Sequence, residues 1–439
     1  MPPAPPRLSL TTATAVVVAN MVGTGVFTSL GFQVGGLPSG FAVIMLWLVG
    51  GVCAFCGAMC YGELAAAVPR SGGEYHFLGR VFHPLAGFLA GWLSVTVGFA
   101  APIALAAMAF GKYLGGVFPG APAEAGSILM VVLVTLVHLR GVKTAAFFQN
   151  GATWLKIGLI VVFIAAGLFF GEGQNISFWP QSGDFDLLKS RPFAVSLVYV
   201  MYSYAGWNAA TYIVGEIRDP QRTVPRAIAI GTVLVTGLYL LLNAVFLRVT
   251  PMAELDGKLD VGHAAADHIF GLTGGKIMSG LICLGLVSCV SAMTWLGPRV
   301  LATMGQDTRA LAYFARSTAE GVPLRGLIAQ LVVVIALILT STFDKVLTCV
   351  QFGLQLASFA TVLGLIVLRV REPDLPRPYR CWGYPFTPLL FLAISAWMMI
   401  YVALDKPWET AAGMGLIALG SVLFLVSPKN SPASSTDPE

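Results

Sequence analysis

Charged side chains are scarce in this chain. They make up 11% of its 439 residues, against about 25% in soluble domains, while 56% of the residues are hydrophobic and the mean hydropathy is +0.80. That balance excludes a soluble globular fold. Histidine is scarcer still, and all five, His76, His83, His138, His263 and His268, fall in expected loops or helix ends. An intramembrane metal protease therefore has no ligand set, and paired Asp-rich motifs for prenyl transfer are missing as well. The seven cysteines are scattered. Cys53, Cys56 and Cys60 share one side of the second expected helix, but no His or acid lies at their depth, so they read as small packing residues. No catalytic residue, metal site or cofactor is expected, and the chain does not read as an enzyme. The opening MPPAPPR has too few basic residues for a signal peptide, and no small-residue cleavage site precedes the first apolar run, which is expected to stay.

Apolar runs are what the sequence has in abundance. They recur at 11–36, 40–67, 84–118, 124–140, 147–171, 193–215, 226–250, 272–305, 326–342, 346–370, 387–404 and 409–427. At 17–35 residues each, they are long enough to cross a hydrocarbon core of about 30 Å. The expected architecture is an all-α integral membrane protein of twelve helices with no soluble domain, and the polar end SPKNSPASSTDPE reads as disordered chain. With both termini cytoplasmic, seventeen of the 26 basic residues lie inside, eight lie outside, and only Lys156 is left over. The net charge of +5 then needs no nucleic-acid partner to explain it, and the expected surroundings are a lipid bilayer.

Polar groups inside such helices are costly and mark function. Residues 20–27 read NMVGTGVF, with two glycines at the centre of the first helix, where each costs about 1 kcal/mol relative to alanine. Gly23-Thr24-Gly25 looks like half a dinucleotide fingerprint, but Thr28 stands where the third glycine belongs and no strand precedes it. The sixth helix carries a second small-residue break, YSYAGWN at 202–208. Breaks at corresponding positions of two halves point to a transporter binding site. Unwinding frees N–H groups where the helix dipole favours an anion, and C=O groups that can take a cation. An α-amino acid carries both charges on one carbon. Lys156 sits near the middle of the fifth helix and is expected to point into the bundle, whereas Glu63 and Glu216, beside arginines at helix ends, read as solvated ion pairs at a cytoplasmic gate.

At these residues the chain resembles the amino acid–polyamine–organocation superfamily of permeases, and most of all its L-type branch. The likeness also runs through VPRSGGEYHFL, RGVKTAAFFQNGATWLK, YAGWNAATYIVGEIRDPQRTVPRAI, PRVLATMGQD and LRVREPDLPRPYRCWGYPFTPL, in order along the chain. The resemblance implies a LeuT-like fold: helices 1–5 (11–171) and 6–10 (193–370) as inverted repeats with helices 1 and 6 unwound, two further helices (387–427), and cytoplasmic tails at 1–10 and 428–439 in the inner (plasma) membrane. It implies that Thr24 and Gly25 offer N–H groups to a substrate carboxylate. The carbonyls of Met21, Tyr202 and Ala205 would receive the ammonium, with Ser203 beside them and Tyr202 as an aromatic gate. Lys156 would replace a sodium ion, tying a carbonyl such as that of Gly23 to Ser291 or Ser288 on the eighth helix.

The implied activity is sodium-independent transport of neutral L-amino acids, by exchange, with alternating access. Ala205, where the family often has glycine, favours small substrates such as Ala, Ser, Cys or Thr. The loop FPGAPAEAG lacks the cysteine by which eukaryotic relatives bind a heavy subunit, so no disulfide-linked partner is expected. An amino-acid-sensing receptor or channel on the same scaffold, and proton-coupled uptake, are the alternatives.

Overall fold

The computed structural model describes residues 8–139, 142–318 and 322–426, with the side chains of 142–153, 216, 303, 307, 309 and 310 outside that description. The expected tails therefore lie largely outside the described residues. The chain is helical almost throughout, as it must be where lipid offers no partner for backbone polar groups. The helices are α1 (Leu10–Met21), α2 (Gly25–Thr28, continued by a 3-10 turn Ser29–Phe32), α3 (Gly40–Ala67), α4 (Glu74–Val81) and α5 (Pro84–Leu93). A π-helical turn, Ser94–Phe99, leads into α6 (Ala100–Val117), followed by α7 (Ala123–His138), α8 (Val142–Phe169), α9 (Asp184–Leu187) and α10 (Arg191–Tyr204). A 3-10 stretch, Ala209–Glu216, precedes α11 (Pro220–Val249), α12 (Met252–Leu255) and α13 (Val261–Asp307). The last four are α14 (Leu324–Thr340), α15 (Phe343–Arg371), α16 (Phe386–Asp405) and α17 (Pro407–Val426).

Local chemistry sets several starts. Ser9, Ser39 and Ser190 each accept a backbone N–H at the head of α1, α3 and α10, the usual service of a serine N-cap. Among the described residues, eight helical segments are long and apolar enough to cross a membrane. Ala123–His138, Trp154–Phe169 and Leu324–Thr340 are apolar but shorter, and α10 has 14 residues. The run expected at 272–305 begins earlier, because Val261–Asp307 is two helical pieces joined at Gly271, where φ is +71°.

The pairing of helices positions the site. α3 packs along α11 and α6 along α13, while α1 lies against α11. The packed centre holds Trp47, whose indole N–H donates to Gln33 Oε1 at 2.9 Å and whose ring meets those of Tyr204 and Tyr239. α16 and α17 sit at the periphery, with only 28% and 11% of their apolar stretches buried.

Candidate functional site

α1 stops at Met21 because Val22 leaves the helical region, with φ −76° and ψ 82°, and the helix resumes at Gly25. The N–H groups of Thr24, Gly25 and Val26 find no acceptor among the described residues. Gly25 permits a close crossing: a Cβ there would collide with the side chain and Cα of Ser203 on α10. The second break follows Tyr204. Ala205 is extended, with ψ 145°, and Gly206 takes φ +98°, a conformation that suits glycine, where a Cβ would come within 2.9 Å of the Asn20 backbone.

Side chains join the two breaks. The hydroxyls of Thr24 and Tyr202 lie 3.0 Å apart, and those of Ser29 and Ser203 also 3.0 Å apart. Tyr239, on α11, brings its hydroxyl to 2.7 Å from the Met21 carbonyl and 3.1 Å from that of Ser203. Met21 O also accepts the Gly23 N–H at 2.8 Å, and Tyr202 O accepts that of Ala205 at 3.0 Å. Two of the three expected ammonium acceptors, Met21 O and Tyr202 O, thus already accept a backbone N–H. The carbonyls of Gly23 and Ala205 have no donor among the described residues.

Lys156 is 6% exposed and reaches the first break, where its ammonium donates to Val22 O at 2.8 Å and lies 3.4 Å from Ala19 O. The expected partners need correction. Val22, the residue that leaves the helix, supplies the carbonyl in place of Gly23. Ser291 Oγ is 2.9 Å from the His138 ring, and Ser288 Oγ is buried with no partner among the described residues. On α13 it is Gly285 and Cys289, one turn apart, that face Lys156 and Gly23, and the serines at 288 and 291 lie farther round the helix.

A cavity runs between the breaks and onward to α4. Thr24, Gly25, Tyr202, Ser203 and Ala205 line one part, α13 contributes Cys289 and Met293, and α15 contributes Gln351, Gln355 and Ser358. Glu74, which the sequence reading passed over, lines the cavity from the head of α4. Its Oε1 accepts from the Tyr61 hydroxyl and, at 2.9 Å, from Ser358 Oγ. Burial pushes its carboxyl above the ordinary glutamate range, partly offset by these two donors. The only sequence signal was an acid in SGGEYHF, at the start of a short amphipathic helix.

Glu63 also departs from expectation. It is fully buried instead of solvated, because the chain between α15 and α16 folds over it. Arg369 grips it with two N–H groups, Arg377 Nε lies 3.3 Å away, and the Cys381 N–H donates to it as well. The side chain of Glu216 lies outside the described residues. At the other end of α15, Phe32 stacks between Tyr199 and Phe343, and Lys406 bridges to Asp344 at 2.8 Å. No cluster of His, Cys, Asp and Glu suited to a metal ion occurs among the described residues.

Comparison with known proteins gives a consistent picture. A sequence model of the family described as amino acid permease matches residues 8–426. The b(0,+)-type amino acid transporter 1 of Mus musculus is 24% identical over 431 residues, covering 96% of this chain and 87% of its own. The large neutral amino acids transporter small subunit 2 of Homo sapiens is 26% identical over 434 residues, covering 96% and 80%. The Asc-type amino acid transporter 1 of Mus musculus is 25% identical over 438 residues, covering 96% and 81%.

Proposed function

The chain belongs to the amino acid permease family, a family of transporters and not of enzymes, and on that premise we propose that it carries neutral L-amino acids across the plasma membrane by alternating access, without sodium. The observation that carries this reading is the cavity wall at the first break. Among the described residues, three backbone N–H groups stand without acceptors beside two carbonyls without donors, those of Gly23 and Ala205. The N–H groups of Thr24, Gly25 and Val26 suit a carboxylate, and the carbonyls suit an ammonium a few ångströms away.

Lys156 supports the sodium-independent part. Its ammonium already sits on the carbonyls that unwinding released, so the place of a monovalent cation is filled by the chain's own charge. The pairing of α3 with α11 and of α6 with α13 supports two inverted repeats, 11–171 and 193–370, since each pair joins helices five crossings apart in a twelve-helix LeuT-like scheme with cytoplasmic termini. Neutral substrates are favoured because, among the described residues, no cation lines the cavity and the one carboxylate that does is engaged by hydroxyl donors at the α4 end. Ala205 narrows the pocket beside the second break and favours Ala, Ser, Cys and Thr.

The test is counterflow. Proteoliposomes preloaded with unlabelled alanine should accumulate labelled alanine transiently, equally well with and without sodium. Binding of alanine without flux would favour a sensor on the same scaffold, and faster flux of arginine or glutamate than of any neutral amino acid would overturn the substrate class.

A further inference from the structure

We propose that Glu74 is a proton-binding site of the transport cavity, and that the proton it holds crosses the membrane together with the neutral substrate. The inference rests on the transport reading above and adds a coupled ion to it. Glu74 is 2% exposed yet lines the cavity, so its carboxyl is closed off from bulk water but can be reached by water that enters the site.

The groups around it are neutral. From α3 the Tyr61 hydroxyl donates to Oε1, from α15 Ser358 Oγ does so at 2.9 Å, and beyond the second break Asn208 Nδ2 lies 3.5 Å away. All three donors meet Oε1, and Oε2 is the oxygen left to hold a proton. Among the described residues no ion pair involves Glu74: the nearby Arg80 is bound to Glu372 at 2.7 Å, and Arg70 is exposed. His76, on the same helix, is held toward its neutral form by burial and by those two arginines. Tyr212, near Asn208, is the remaining titratable neighbour.

A carboxylate with neutral donors and no counter-charge is costly in a closed cavity, so closure favours the protonated acid. Hydration of the cavity removes that cost and lets the proton leave. The cycle balances simply: one proton binds the carboxylate from water on one side, and the same proton is released to water on the other. Asn208 supplies the mechanical link, because it follows Ala205 and Gly206 in the broken segment that borders the substrate. Glu74 is here a positioning and proton-holding residue, and need not touch the substrate.

The test uses the full chain in proteoliposomes clamped at zero potential with potassium and valinomycin and loaded with a pH-sensitive dye. With one proton per substrate, an inward gradient of one pH unit should sustain up to about tenfold accumulation of labelled alanine, and adding alanine should acidify the lumen. Glu74→Asp should keep a proton-to-substrate ratio near that of wild type, and Glu74→Gln should move no protons per substrate carried, whatever its residual flux. Robust wild-type counterflow with no lumenal acidification and no gradient-driven accumulation would overturn the proposal while leaving the transport reading intact. An unchanged ratio in Glu74→Gln would overturn it too. Wild type without counterflow would overturn the transport reading itself.

Discussion

The hydroxyls of Thr24 and Tyr202 meet at 3.0 Å, one from each of the two helix breaks, and both side chains are buried. The bond spans 178 residues of sequence. It lies in the cavity wall, beside the unpaired N–H groups of the first break, so its strength should be felt by whatever binds there.

Tyr202→Phe removes that bond and little else. A neutral hydrogen bond contributes about 1 kcal/mol, so half-saturation for counterflow should rise by roughly fivefold. Thr24→Val should do the same, and the double variant should be no worse than either, since the two changes break one interaction. Fully additive losses in a counterflow titration of all four proteins would show that the hydroxyls act separately.

Lys156→Met keeps an apolar stem and deletes the ammonium that holds Val22 O at 2.8 Å. A charge-assisted bond is worth about 1.5–3 kcal/mol, so counterflow should fall by about tenfold or more. Apparent affinities on the two membrane faces should change unequally, because the tie lies beside the pocket and biases its opening. A sodium series should not restore activity, since a methionine adds no oxygen ligands. Sodium-stimulated flux in wild type would contradict the role given to Lys156.

Ala205→Gly removes a methyl group from the cavity wall. Larger neutral substrates such as leucine should gain in kcat/KM relative to alanine by about tenfold or more, the worth of one methyl-sized contact. Competition of leucine and alanine against labelled serine reads this directly. A ratio that stays put would place the size filter elsewhere.

Glu63→Gln leaves Arg377 buried with its charge unmatched and weakens the hold on the chain between α15 and α16. Breaking a buried pair by removing one partner costs about 3–5 kcal/mol. The melting temperature in detergent should drop clearly, and a Tm within a degree of wild type would mean that the arginines find water instead.

Glu74 ties stability to pH. Its carboxyl titrates above the ordinary value of 4.5 in the folded protein, so the folded state binds its proton more tightly than the unfolded chain does. The resulting stabilisation is complete below 4.5 and is lost as pH rises through the folded-state value. Wild-type Tm should therefore decline over that window, and Glu74→Gln should decline less. Parallel pH profiles would assign the slope to other groups.

Membrane-spanning character and family membership are legible in the sequence, because composition and the order of short motifs are local properties. The glycines at 23, 25 and 206 likewise mark backbone that leaves regular helix within a residue or two. Partners across the bundle are harder to read. Periodicity puts 285, 288 and 289 on neighbouring sides of one helix, but does not say which of them turns toward Lys156. Tyr239 reads as an apolar-helix aromatic until the fold brings it onto Met21 O. Glu63 looks like a solvated helix-end acid because the segment that buries it comes some 300 residues later. Glu74 sits in a loop by sequence and enters the cavity only because α4 packs against α5 and α15.

Lys156 also bears on how the chain is made. Synthesis runs from the N-terminus, and Lys156 emerges 134 residues after Val22. When α8 leaves the translocation channel with a charge that costs about 2.5–3.5 kcal/mol at the bilayer centre, the carbonyl that will accept it already lies just past the end of α1 within the same membrane. A chain rearranged so that α1 is synthesised last would offer that ammonium to bare lipid for the whole of the delay, and α8 would be the helix that fails to insert.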